Sequence, residues 1–219
     1  MTIKYPIFRW LVAAVSVFSA SALGAQTLFN TGLQIEFREG YCYLFGHINI
    51  GDAQRFVQTL ENNQSTCNVI RLNSRGGAGR DAMEIGTYIR NHRITTWTDG
   101  LHDKCASACN RVFAGGVNRI YSNANEIVTG KILNSQVGQK RRGLGYHHPK
   151  LGGDFGAADA YFHHTIIPYL KAMLPPKAAD WIYQAENSNW TGNLIWLNGD
   201  MALELGISTS DQIPDGCSL

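Results

Sequence analysis

Between residues 67 and 114 short apolar runs alternate with amphipathic ones, and turn-forming residues mark the breaks between them. Cys67 to Leu72, with Val69, Ile70 and Leu72 apolar, reads as a strand that Asn73-Ser74-Arg75-Gly76-Gly77 ends. Residues 79–92 place Ala82, Met83, Ile85 and Ile89 on one stripe of a helix. Ile94 to Trp97 is a second strand, and Ser107 to Ala114 a second helix closed by Gly115-Gly116. Strands separated by helices must run parallel, and the crossovers between them are right-handed. An α/β domain built on βαβ units follows.

The flanks extend this pattern. Leu33 to Phe37 and Tyr41 to Phe45 predict two strands, and Gly51-Asp52 starts a helix carrying Phe56 and Leu60. Residues 122–145 are rich in glycine and hold Lys140-Arg141-Arg142, which predicts a long exposed excursion with a strand extension at Ile127 to Thr129. Helical spacing returns over 157–173 through Ala158, Tyr161, Ile166, Tyr169 and Leu170, divided by Pro168. Further helices fit 177–186 and 200–205, the last closed by Gly206. There is no internal repeat or linker, and 219 residues suffice for one domain with its own core.

Residues 1–25 differ from the rest. Lys4 and Arg9 precede an apolar run from Trp10 to Ala20, and small residues lead to Ala25. This is the layout of a secretory signal peptide, with cleavage expected after Ala25 or, failing that, Ala22, and a mature domain over 26–219. The leader holds two cations and no acid, so removing it takes the formal charge from +2 to zero. A balanced chain with one tight basic run gives no reason to expect nucleic-acid binding. Export permits disulfides, and five cysteines remain: Cys42, Cys67, Cys105, Cys109 and Cys217. Cys42 and Cys67 begin or precede predicted neighbouring strands, which suits a disulfide. Cys217 is then expected to pair with Cys105 or Cys109, leaving one free thiol, because those two, one helical turn apart, are weaker partners for each other.

Three segments carry candidate chemistry. Cys105-Ala106-Ser107-Ala108-Cys109 presents a hydroxyl between small residues at a strand-to-helix junction, where free amides and the helix dipole favour a developing anion. The same serine would also serve as a plain N-cap. Gly145-Tyr146-His147-His148-Pro149 offers an imidazole, with one of the two histidines facing any pocket. Gly76-Gly77 lets the backbone turn close to a ligand and present an amide to an oxyanion. No set of ligands has the spacing of a metal site.

In order, these segments resemble those of the Clp protease proteolytic-subunit family, within the crotonase-like fold group. Asn73-Ser74-Arg75-Gly76-Gly77 is similar to its oxyanion turn, with Arg75 in place of a proline. Ala106-Ser107-Ala108 resembles the nucleophile turn, Ala114-Gly115-Gly116-Val117-Asn118-Arg119 the segment after it, and Tyr146-His147-His148-Pro149 the histidine segment. Ala202-Leu203-Glu204-Leu205-Gly206-Ile207 is similar to its last helix. The likeness covers residues 40–210 and points to an exported branch of the family.

The resemblance implies a single-domain crotonase-like ββα superhelix and a serine-type peptidase, periplasmic or secreted, needing no metal or other cofactor. Ser107 is the expected nucleophile, His147 the base, and the Gly77 and Ala108 amides the oxyanion donors. The family's third catalytic residue is an aspartate; none stands between Asp180 and Asp200, and Asn193 is the candidate orienter of His147. The expected substrate is a peptide or unfolded polypeptide, taken without an ATP-driven unfoldase. A small homo-oligomer is expected, packed through the 157–173 segment. The alternatives are an inactive binding or scaffold protein that keeps the cleft and a thioester hydrolase.

Overall fold

The computed structural model describes residues 32–63, 67–131, 142–190 and 193–217. The leader and residues 132–141 of the expected excursion, with Lys140 and Arg141, lie outside them.

Strands β1 (Gln34–Arg38) and β2 (Tyr41–Phe45) form an antiparallel hairpin. The chain then alternates as its periods predict: helix α1 (Asp52–Asn62), β3 (Val69–Asn73), α2 (Gly79–Asn91) and β4 (Thr95–Asp99). Strand β2 pairs with β3 and β3 with β4, all parallel. Ala82, Met83, Ile85 and Ile89 of α2 are buried, as their spacing requires. After β5 (Lys104–Ala106) and α3 (Cys109–Gly115), β6 (Arg119–Ser122) joins β4 and completes a five-stranded sheet in the order β1-β2-β3-β4-β6. The tail runs beside β6, where Thr209 and Tyr121 donate amide bonds across the pair.

A second sheet has the order β5-β8-β9-β7 and is made of short pieces: β5, β7 (Gly130–Lys131), β8 (Gly143–Tyr146) and β9 (Ile195–Trp196). Strand β5 is parallel to β8, and β9 is antiparallel to both β8 and β7. Ser74 joins the two sheets: it accepts an amide bond from Ala106 and donates one to Lys104 just beyond the end of β3. The expected strand at Ile127–Thr129 is instead a bend, and pairing begins at Gly130.

The apolar rod over 155–173 consists of α4 (Phe155–Tyr161), one π-helical turn (Phe162–Ile166) and α5 (Ile167–Met173). Pro168 divides it as expected, because it lacks an amide and sits in the first turn of α5. Ala158, Ile166 and Leu170 are buried, and the Tyr169 hydroxyl donates to the Arg111 carbonyl at 2.7 Å. The stripe expected to make subunit contacts is therefore largely used inside the chain. Helices α6 (Pro176–Asn187) and α7 (Gly199–Leu205) close the domain, and Gly206 takes the left-handed cap position.

Cys42 and Cys67 form a disulfide with a Cα separation of 5.6 Å. The second bridge corrects the sequence expectation, because Cys105 pairs with Cys109 at a Cα separation of 5.1 Å. The two do not stand on one helical turn. Cys105 belongs to β5, and the chain reverses at Ser107-Ala108 before Cys109 opens α3, which brings the pair within bridging range. Cys217 is free and points its thiol at the Gly40 carbonyl of the β1–β2 turn, far in sequence from the nucleophile segment.

Candidate active site

Ser107 occupies the corner between β5 and α3 in the left-handed region, with φ at +56°. A side chain there costs about 1–3 kcal/mol and persists only where its surroundings enforce it. Several contacts do so. The Ser107 amide donates to the Gly145 carbonyl of β8 at 2.8 Å, and the Ser107 carbonyl accepts from the Asn110 amide at 3.0 Å and from Arg111 Nη1 at 3.1 Å. The Cys105–Cys109 bridge spans the same five residues.

The glycine corner lies directly against this turn. Gly76 has φ at +89°, and a Cβ there would sit 2.6 Å from the Ala106 carbonyl oxygen and 2.7 Å from the Ala108 nitrogen. Only glycine fits that approach. Ile48 bridges the corner by donating to the Gly76 carbonyl at 3.0 Å and accepting from the Ala78 amide at 2.7 Å. This leaves Gly77 between the two bonds. Among the described residues neither the Gly77 amide nor the Ala108 amide has a hydrogen-bond partner. Ala108 is buried, where native backbones pair nearly all amides, whereas Gly77 is exposed and its amide faces solvent; both are free to donate to a ligand in the cleft.

Ser107, Ala108, Gly77 and His147 line a single cleft of about 300 Å³, together with His47, Arg75, Arg111 and Tyr161. The sequence segments that supplied three separate clues thus meet in space. His147 follows the end of β8, and its Nδ1 is 2.5 Å from the His148 carbonyl oxygen. A carbonyl only accepts, so Nδ1 carries the proton and Nε2 keeps its lone pair. Burial pushes the His147 imidazole below the usual histidine range, and the positive charges of Arg111 and Lys150 act in the same direction. The bond to the carbonyl is the one opposing influence. The ring is therefore neutral and able to accept a proton at neutral pH.

His148 turns the other way, as neighbours in extended chain do. It is buried, stacks on Trp190 at 3.6 Å and donates from Nδ1 to the Pro149 carbonyl at 3.1 Å. Asn193 corrects the expectation for the orienter. It is exposed and outside the cleft lining, and its backbone carbonyl accepts a bond from the Asn189 side chain. The β8–β9 ladder ends at Tyr146 and Ile195, and beyond it the His148 amide bonds the Asn189 carbonyl, so Asn193 is not held beside His147. The position expected for an orienting side chain is filled by main chain.

Sequence reasoning missed the support behind the turn. Arg111, buried in α3, makes a two-pronged pair with the fully buried Glu186 of α6 at 2.7 and 2.5 Å while also holding the Ser107 carbonyl. An arginine followed directly by the apolar Val112-Phe113-Ala114 in a short helix was the available signal, because a buried guanidinium demands a partner. His47 and Tyr161, also in the cleft, carried no such signal.

No family model matches this chain, and neither does any curated protein. Solved structures do. A mutant ClpP1 from Listeria monocytogenes superposes with a TM-score of 0.54 at 18% identity, over 79% of this chain and 91% of that one. The ClpP protease catalytic domain from Plasmodium falciparum gives a TM-score of 0.53 at 16% identity, over 79% of this chain and 85% of that one. At such identities the likeness is one of fold, and this chain has the mixed α/β architecture with a central sheet that those proteins share.

Proposed function

We propose that this protein is an exported serine hydrolase acting on peptide bonds, with a crotonase-like ββα superhelix as its scaffold. The observation that carries the reading is the cleft itself. A strained serine, two unpaired amides and a neutral imidazole with a fixed tautomer share one lining. Ser107 Oγ attacks the scissile carbonyl while His147 Nε2 takes its proton. The Gly77 and Ala108 amides hold the oxyanion of the tetrahedral intermediate. The intermediate collapses to an acyl-serine as His147 returns the proton to the leaving amine. Water then repeats the sequence and frees the acid.

The His148 carbonyl stands where a carboxylate would stabilise the imidazolium, and a neutral dipole does so less well. A slow enzyme follows. The same observation favours a second reading, a binding protein that keeps the cleft without turnover. The leader-like residues 1–25 support export, and two disulfides in one domain fit an oxidising compartment. We read the assembly as a small homo-oligomer that works without an unfoldase.

A fluorophosphonate probe tests the chemistry. Wild-type protein is expected to label, Ser107→Ala not at all, and His147→Ala at a rate about 10²–10⁴-fold lower. A folded wild type that neither labels nor cleaves a broad peptide library would establish the binding reading instead.

A further inference from the structure

A second cavity, of about 480 Å³, adjoins the cleft and shares two walls with it, His47 and Arg75. Its other charged or titratable lining comes from His102, Lys104 and Arg142. Three side-chain cations and two imidazoles therefore surround one space, and among the described residues no carboxylate lines it. Two buried acids beside the lining residues His102 and Lys104 in the chain or bonded to them are already committed. Asp103 is buried and grips Arg71 at 2.7 and 3.2 Å. Asp99 is buried and accepts from Ser122, Asn123 and His102 at 2.9, 2.6 and 2.7 Å. Asp103 is thereby spent on Arg71 and Asp99 on His102, which leaves Arg75 and Arg142 as the cavity's cations with no acid on them among the described residues.

The lining comes from distant parts of the chain. Arg75 stands in the glycine corner, Lys104 begins β5 and Arg142 immediately precedes β8. In a mature chain of zero formal charge, such a gathering of one sign beside a reactive serine creates a local field that selects anions. Arg75 is also the residue by which the corner departs from the proline of the resembling family, so its cation is an addition of this chain.

We infer that this cavity is a carboxylate subsite, which directs the Ser107 cleft toward peptides carrying an acidic side chain or a free C-terminus close to the scissile bond. The inference rests on the hydrolase reading for its catalytic meaning, but the binding it requires is independent of turnover. Partly exposed ion pairs contribute modestly each, and the two to Arg75 and Arg142 together correspond to a selectivity of about tenfold.

The test is fluorescence anisotropy of labelled hexapeptides on Ser107→Ala at low salt. One pair of peptides differs as Glu against Gln in the middle, and a second pair as free acid against amide at the C-terminus. At least one acid is expected to bind about tenfold more tightly than its amide isostere. That preference should fall close to unity in the Arg75→Gln, Arg142→Gln double variant and be kept by Lys at both positions. The pair showing the preference identifies whether the carboxylate is internal or terminal. Equal binding within both pairs, or a preference that survives the double Gln variant, overturns the subsite. Probe labelling of the wild type keeps the two readings apart. A labelled enzyme blind to acids loses only the subsite, whereas an unlabelled protein that prefers acids keeps the subsite and loses the hydrolase.

Discussion

The two sheets of this protein are built in opposite ways. The five-stranded sheet is made of strands four or five residues long, joined mostly by regular crossovers and drawn from residues 34–122. The four-stranded sheet takes fragments of two to four residues from as far apart as 104 and 196. Its ladders are too short to be stable alone, and it exists because other parts of the chain hold it. The candidate site sits where this dependent sheet meets the first. The regular sheet supplies stability, and the fragmentary one supplies position.

This contrast can be broken most severely at Glu186. Removing one partner of a buried ion pair leaves an uncompensated charge, so Glu186→Ala should destabilise the fold by about 3–5 kcal/mol in denaturant titrations. A loss below about 1 kcal/mol would mean that α3, and the turn on it, is anchored some other way. The two disulfides sharpen the contrast at a smaller scale. Cys42 and Cys67 are 25 residues apart, and losing that link through Cys42→Ser should cost about 3 kcal/mol while sparing probe labelling in whatever fraction stays folded. Cys105 and Cys109 are only four residues apart, so Cys105→Ser should cost less stability, about 2 kcal/mol, but lower the labelling rate by releasing the strained serine. Equal effects of the two variants on labelling would erase the division of roles.

The smallest expected effect is in the pH profile. His147 is held below the usual histidine range chiefly by burial and must be neutral to act. Labelling should therefore persist as pH falls past about 6.5, the ordinary histidine value, and decline only as pH drops through the lowered one. A midpoint at or above 6.5 would place the imidazole in a more open or more anionic setting than this cleft. On the same logic, Asn193→Ala should leave the midpoint where it is.

How far the sequence could be read follows the same division. Strands and helices over 33–92 are long enough to show their periods, and the structure has them within a residue or two. Strands β5 to β9 contain two to four residues, too few to display any period. In β8 the signal was inverted as well. Gly143-Leu144-Gly145-Tyr146 reads as a breaker-rich loop, yet Gly145 suits the pairing because a Cβ would crowd the Trp196 ring of β9 at 3.0 Å. In the candidate site, Ser107, His147, Gly77 and Ala108 can be singled out in the sequence by side-chain type and by the glycine and small-residue turns, and the structure brings them to one cleft. The orienting group was not. It is a backbone carbonyl, which every residue has, and only the fold decides which one meets an imidazole. The Cys105–Cys109 link was misread for a related reason: a spacing of four suggests one helix, and a chain reversal inside it leaves no trace in spacing.

The contact between Gly76 and the Ala106–Ala108 backbone has a consequence for how such a molecule survives its own synthesis. The glycine corner and the serine proposed as nucleophile come from segments some thirty residues apart and take up their shapes against each other. On the proposed hydrolase reading, a nascent or partly melted copy therefore holds the components of the site without their function. Unfolded chains are the kind of substrate proposed for this cleft, and they include the protein's own precursors. Reactivity that appears only on completion of the fold works as a built-in safety catch against self-digestion.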